Sequence, residues 1–463
     1  MRLFLSSVCV VLAMNVVAAS EVHAQDGEQG NAAPRSGFEF GSYGRVVAAS
    51  NLRGGSGRNA DIVTPSPRID ESTYAELELR RWDQWDTSRT NVVATLAIAG
   101  PLFHDNGQFD ARLAVRNLYA EVLDLFRAGT TFWAGSRMVR GDDIYLLDIW
   151  PLDNLNLVGG GAKLAFTERF DAGLALGLAR PNNPFYTQSV DVASSMGFVP
   201  ESVLLLDRPR FVLSDKFTYH VWDRALPQGI KFVLYNEVHL LSAGTRENDA
   251  GARESLPSDS GYMIGAEASA YNSRTRAFAN VFARFAQGLA AYDPLGIPFS
   301  VGAVTETSRA RELRLGFSAN WESGMVGVQA GGFFRYFRDA DPTVFARTSV
   351  TEAVLVARPS LWFGRYWGVA ADLSFQHRET SQLDELTGVP VSGNVWKFGV
   401  IPFLSPAGRG TYTRPQLRLI YSMSIRDEGA RAMYPSLDVR SQQSVEHFLG
   451  IGAEWWFNSS SYQ

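Results

Sequence analysis

The side chains of this chain change character at every second residue, again and again, in segments of roughly ten residues separated by clusters of Gly, Pro, Asn, Asp and Ser. Beyond residue 24 no uninterrupted apolar run approaches the ~20 residues that a spanning helix requires. A chain of this kind crosses hydrocarbon only as strands closed into a cylinder, because an open edge would leave peptide groups unpaired in lipid. In Thr73 to Leu79, Ala75, Leu77 and Leu79 share one face while Tyr74, Glu76 and Glu78 share the other. Carboxylates facing lipid are costly, so the second face points into a lumen. Leu313, Leu315 and Phe317 likewise oppose Glu312, Arg314 and Ser318, and Trp367, Val369, Ala371, Leu373 and Phe375 oppose Asp372, Ser374 and Gln376.

About eighteen such runs lie between Phe38 and Phe457, which predicts an all-β fold, a transmembrane antiparallel β-barrel with an aqueous channel. Short periplasmic turns are expected at one end. Longer extracellular loops are expected at residues 51–70, 180–195 and 246–260. The last run ends on an aromatic, with Leu449, Ile451, Trp455 and Phe457 on one parity, and a polar tail, 458–463, departs from the usual closing strand.

Arg2 followed by the apolar run Leu3 to Ala19, with small residues at 22 and 24, reads as an export signal cleaved after Ala24. Residues 25–36 then form a flexible segment before a barrel at 37–457. Removing the signal deletes Cys9, the single cysteine, and with it disulfides and thiol chemistry. The chain of 463 residues has 43 Lys and Arg against 48 Asp and Glu, with no basic run to grip phosphates, so nucleic acid is excluded as a partner. No His lies in a metal-ligand spacing or beside a nucleophile motif, so no metal, cofactor or catalytic residue is expected. An outer-membrane barrel enzyme is the rival from another class.

Several aromatics fall on the wet parity. Tyr43 shares its face with Arg45, Tyr74 with Glu76 and Glu78, Phe278 with Asn280 and Arg284, Tyr412 with Arg414, Gln416 and Arg418, and Trp456 with Glu446 and Glu454. Rings beside charged groups suit a pyranose, whose C–H faces stack while its hydroxyls exchange hydrogen bonds. Each contact must be weak and repeated, or the solute would not leave.

The stretches Glu71-Ser72-Thr73-Tyr74-Ala75-Glu76-Leu77, Thr131-Phe132-Trp133-Ala134-Gly135-Ser136-Arg137 running on to Asp143 and Leu147-Asp148, Tyr412-Thr413-Arg414-Pro415 and Glu454-Trp455-Trp456-Phe457 carry a resemblance. The chain resembles the maltoporins and the related sucrose and β-glucoside porins. That resemblance implies an eighteen-stranded homotrimer with a line of aromatics flanked by an ionic track and narrowed by an inward loop. It assigns Tyr43, Tyr74, Phe278, Tyr412 and Trp456 to the aromatic line, with Trp150 replacing a tyrosine on the constriction loop and Phe103 nearest to a residue supplied by a neighbouring subunit. Arg45, Arg68, Glu76, Asp143 and Asp148 match the ionic track directly. Arg116 matches after a shift of two residues, and Arg140 reaches from one residue before Gly141, where the family has arginine. The cysteine pair that staples the family's first loop is missing. The resulting expectation is an outer-membrane porin for passive, saccharide-selective diffusion of maltodextrin-like oligosaccharides. The alternatives are a general diffusion porin for small hydrophilic solutes and a plugged structural barrel.

Overall fold

A computed structural model describes residues 36–66, 68–100, 111–194, 197, 199–248, 250–292, 305–340, 349–383 and 390–460. The first strands are β1 (Gly37–Ser50), β2 (Tyr74–Trp85), β3 (Ser88–Ala99), β4 (Arg112–Leu123) and β5 (Thr130–Arg140). Next come β6 (Asn154–Ala165), β7 (Phe170–Ala179), β8 (Thr187–Val192), β9 (Glu201–Asp207), β10 (Arg210–His220) and β11 (Gln228–Leu241). β12 (Gly244–Glu247), β13 (Arg253–Leu256), β14 (Asp259–Asn272), β15 (Ala277–Gly288), β16 (Arg311–Ser323) and β17 (Val326–Arg338) follow. The chain closes with β18 (Ser349–Phe363), β19 (Trp367–Leu383), β20 (Pro390–Leu404), β21 (Gln416–Arg426) and β22 (Val445–Phe457).

Eighteen of these form one antiparallel sheet, and β1 pairs with both β2 and β22, so the sheet closes on itself. The hairpins β8–β9 and β12–β13 stand outside it. Closure leaves no free edge, which is what lets strands with a greasy outer face cross lipid. Short turns join β2 to β3, β4 to β5, β16 to β17 and β18 to β19 at one end, which also carries the 405–415 connection between β20 and β21; the other long connections lie at the opposite end.

Alternation governs the wall as expected. In β16 the odd positions Leu313, Leu315 and Phe317 are exposed on the outside, while Glu312, Arg314 and Ser318 are buried on the inside. Leu315→Arg is expected to cost about 2–4 kcal/mol at mid-bilayer, although its neighbour Arg314 is already charged, because only the inner face is wet. The fraction of chain assembled into liposomes as a compact, heat-modifiable barrel measures this. On the outer face of the closing seam, a Cβ on Gly44 would stand 2.2 Å from the Trp455 ring, and Trp455 Nε1 donates to Ser42 Oγ at 3.0 Å. The glycine makes room for an indole that shields a hydroxyl from lipid.

One loop differs from its expectation. Residues 60–66 and 68–70 do not stay outside. Ile69 packs inside the barrel with Trp362, Ile401, Phe403, Ile420 and Phe448, and Lys397 Nζ holds Asp61 at 2.9 Å and Asp70 at 2.7 Å. Apolar side chains within the loop and a lysine on the facing wall draw it in. The stretches 180–195 and 246–260 contain strands of the two small hairpins. Tyr412 belongs to the turn before β21, which starts only at Gln416, so strand parity does not govern it.

The largest apolar cluster also lies within the barrel. It joins Ile144, Tyr145, Leu146, Leu147 and Leu152 of the β5–β6 connection to inward residues such as Leu155, Val212, Tyr235, Met263 and Phe282. Part of the lumen at this level is therefore packed.

Candidate functional site

The β5–β6 connection, residues 141–153, positions the site. β4 and β5 pair over six residues only, from Leu118↔Ser136 to Leu123↔Thr131, whereas β5 stays paired with β6 up to Arg140↔Asn154. The top of the hairpin is thus released from β4 and carries its connection inward. Ile144 reaches the glycines of β16 and β17. A Cβ on Gly331 would stand 2.4 Å from Ile144 Cγ2, and one on Gly316 3.5 Å from Ile144 Cδ1. Leu152 sits on Gly265 of β14 in the same way. β17 is far from β5 around the ring by either route, so the segment crosses the bore.

Tyr145 fixes the crossing. Its hydroxyl donates toward the Glu454 carboxylate, 2.9 Å from both oxygens, and accepts from Arg414 Nη2 at 2.6 Å. Arg414 and Arg418 hold Glu454 at 2.7 and 2.5 Å. Thr64 Oγ1 donates to the Leu147 carbonyl at 3.3 Å, tying the segment to residues 51–73.

The residues singled out in the sequence lie around this crossing. Tyr74 and Tyr43 have ring centroids 5.9 Å apart, Tyr412 and Phe278 6.1 Å apart. Tyr145 stands between the groups, 5.8 Å from Trp456 and 5.3 Å from Tyr412. Sequence reasoning missed Tyr145; its signal is the apolar run Ile144-Tyr145-Leu146-Leu147 enclosed by acidic residues. Tyr43 is fully buried, covered by Arg68, which bonds its hydroxyl and lies over both Tyr43 and Tyr145. Trp150 is buried too, with the Arg140 guanidinium 3.7 Å from its ring centre. Phe103 lies outside the described residues.

The charged residues make an eyelet between the inward segment and the wall of β1 to β4. Arg45 and Arg68 share Glu71, at 3.0 and 3.3 Å. Arg68 also pairs with Asp148 at 3.6 Å. Arg116 bonds Tyr74 and Glu76. Simple alternation would aim Arg116 at lipid with Leu118. A bulge makes it the extra residue between Val115 and Asn117 opposite Thr95 and Leu96, and so turns it inward. Arg140 bonds Asn154 at 2.8 Å, and a side chain at the next position would have to displace Asp153: a Cβ on Gly141 would meet its Oδ1 at 2.1 Å.

Burial works to raise the Asp148 carboxyl, but Arg68, Arg45, Arg140 and Arg116 outweigh it and hold it below the ordinary carboxylate range. Asp143 behaves oppositely. Burial pushes its carboxyl up to about 7; Arg68 opposes this, and the carboxylates of Asp148 and Asp142 add to it. An unfolded aspartate ionises near 4, so the folded chain keeps a proton that the unfolded chain releases. The resulting advantage to folding is complete below about 4 and is lost as pH rises to about 7. Asp143→Asn is expected to narrow the difference in thermal stability between pH 5 and pH 8, read from the melting of the barrel in detergent; an unchanged difference would remove Asp143 as its source.

Among the described residues no group of three His, Cys, Asp or Glu side chains could hold a metal ion. A closed barrel with an apolar exterior, a charged interior and an inward segment narrowing its bore defines an outer-membrane porin of a Gram-negative bacterium. The LamB porin family model matches residues 38–457, and the chain belongs to that family.

Among solved structures the chain is similar to Pseudomonas aeruginosa OpdK with vanillate, at 11% identity and a TM-score of 0.43, over 91% of this chain and 98% of that one. It is similar to the outer membrane channel DcaP of Acinetobacter baumannii, at 8% and 0.45, over 91% and 98%. It is also similar to the trimer form of Vibrio cholerae OmpT, at 12% and 0.40, over 92% and 100%. No curated protein matches it. The narrower likeness to maltoporins and their sucrose and β-glucoside relatives is corrected to the family that is shown, the LamB porins at large. The motifs behind that likeness, around Tyr74, Trp133, Tyr412 and Trp456, sit on strands and turns that build the barrel itself.

Proposed function

We propose that this porin passes small hydrophilic solutes by passive diffusion, with residues 141–153 setting the width of the passage and the eyelet setting its polarity. The observation that carries this reading is the crossing segment beside a charged wall: Ile144 is seated on Gly331, while Asp148 of the segment faces Arg45 and Arg116 of the wall. A general diffusion route asks only for water, charge and a bore. Most of the rings are engaged with one another or beneath guanidiniums, which favours this over stacking of a passing sugar.

The second reading is saccharide selectivity, and the sequence of rings from Phe278 through Tyr412 and Tyr145 to Trp456 favours it. Assembly as a homotrimer belongs to both readings and is checked by the mass of the detergent-solubilised barrel. Liposome swelling with a panel of sugars, amino acids and organic acids of graded size separates the two. General diffusion predicts rates ordered by size. Rates for oligosaccharides above those of smaller non-sugar solutes, together with saturable sugar block of current that Trp456→Ala weakens, would replace it with the second reading.

A further inference from the structure

Two parts of the inner wall repeat one arrangement, with arginines standing in front of buried carboxylates. On β15, β16 and β17 the backbone register places Arg284, Arg314 and Arg335 side by side. All three converge on Glu312, with Arg284 Nε at 2.9 Å, Arg335 Nε at 2.6 Å and Arg314 Nη2 at 3.2 Å. Arg335 continues to Glu352 at 3.1 Å, which Arg378 of β19 approaches at 3.4 Å. Four guanidiniums thus face two carboxylates. Their exposure is unequal: the side chains of Arg335 and Arg378 are 20% and 34% exposed, those of Glu312 and Glu352 0% and 7%. At the eyelet, Arg116 is 17% exposed over a Glu76 that is 0% exposed, while the Arg68–Asp148 pair is the reverse, its carboxylate 31% exposed over a buried guanidinium.

The consequence is electrostatic. A carboxylate behind a guanidinium neutralises it at a distance, but a solute in the water-filled bore meets the cation first, with low-dielectric walls to focus its field. Guanidinium groups also present donors in a planar fork that fits carboxylate and phosphoryl oxygens, and they cannot be deprotonated.

We infer that this lumen prefers small anions, passing solutes that bear a carboxylate or phosphoryl group along the β15–β19 arginine row to the eyelet. The inference rests on the porin reading and deepens it by naming the solute class. Each arginine is already engaged with a wall carboxylate, so the anion is an additional, exchangeable partner. Such a site is weak enough to release what it attracts.

The test is the reversal potential of the full chain in planar bilayers under a KCl gradient, repeated with potassium acetate and potassium phosphate. Permeability to chloride is expected to exceed that to potassium several-fold, with acetate and phosphate keeping the same sign. R335Q/R378Q is expected to lose most of that preference, and R335K/R378K, which keeps the charge, to retain it. A conducting wild-type channel that prefers potassium, or a preference unmoved in the glutamine variant, overturns this inference alone. A chain that assembles in the bilayer and carries no current overturns the porin reading with it. Should the glutamine variant fail to assemble, the wild-type sign decides.

Discussion

Replacing residues 144–150 with a short glycine-serine link is expected to raise single-channel conductance several-fold while leaving an assembled barrel. The wall does not depend on this segment, because its closure rests on strand pairings from β1 around to β22. What the segment contributes is contact across the bore: Ile144 on Gly331, Tyr145 on Glu454 and Arg414, and Leu147 bonded by Thr64. Removing it exposes the apolar patch around Leu155, Val212 and Phe282 to lumen water. Each buried Ile or Leu lost forfeits roughly 1.5–3 kcal/mol, so the variant should melt earlier than the native chain yet remain closed. Conductance and melting temperature therefore move in opposite directions. If conductance stays at the native value, the narrowest point lies elsewhere, and residues 51–73 against Lys397 become the candidate.

The strands were legible because lipid on one side and water on the other impose a period of two. Leu315 beside Arg314, and Trp455 beside Glu454, declare their faces without any partner in view. Residues whose direction comes from something other than alternation were harder to read. Arg116 points inward through a bulge, which a fixed parity does not register. Tyr412 sits in a turn and reaches the ring line by the path of that turn. Tyr145 is the central ring and was not singled out, since a loop has no period and its position depends on glycines at 316 and 331, nearly two hundred residues away. Residues 51–73 share that dependence: their acids look like solvent-facing loop residues until Lys397 is placed opposite. Solute choice was less legible still. Lumen aromatics suggested a stacking surface, but Tyr43 and Trp150 are buried, and arginines lie over their rings.

Glu312→Gln is expected to be among the most damaging single changes in the wall, costing about 3–5 kcal/mol as the loss of one partner from a buried charge network. Glu312 is fully enclosed, and three guanidiniums depend on it. The amide can still accept a hydrogen bond, but it no longer offsets charge, and the register leaves Arg284, Arg314 and Arg335 as like charges directly across strands. Glu352→Gln is the comparison. Its carboxylate serves two arginines, Arg335 and Arg378, the second being one-third exposed to water, so a smaller loss is expected. Unfolding by urea in liposomes ranks the two variants. Phosphate in the buffer should restore part of the Glu312→Gln loss if the freed guanidiniums are reachable from the bore, and an inert neutral osmolyte should not. A loss below about 1 kcal/mol, the range of a solvent-exposed ion pair, would mean that lumen water already screens the arginine row. The repulsion argument would then fail, and the focusing of anions that depends on the same low-dielectric wall would fail with it.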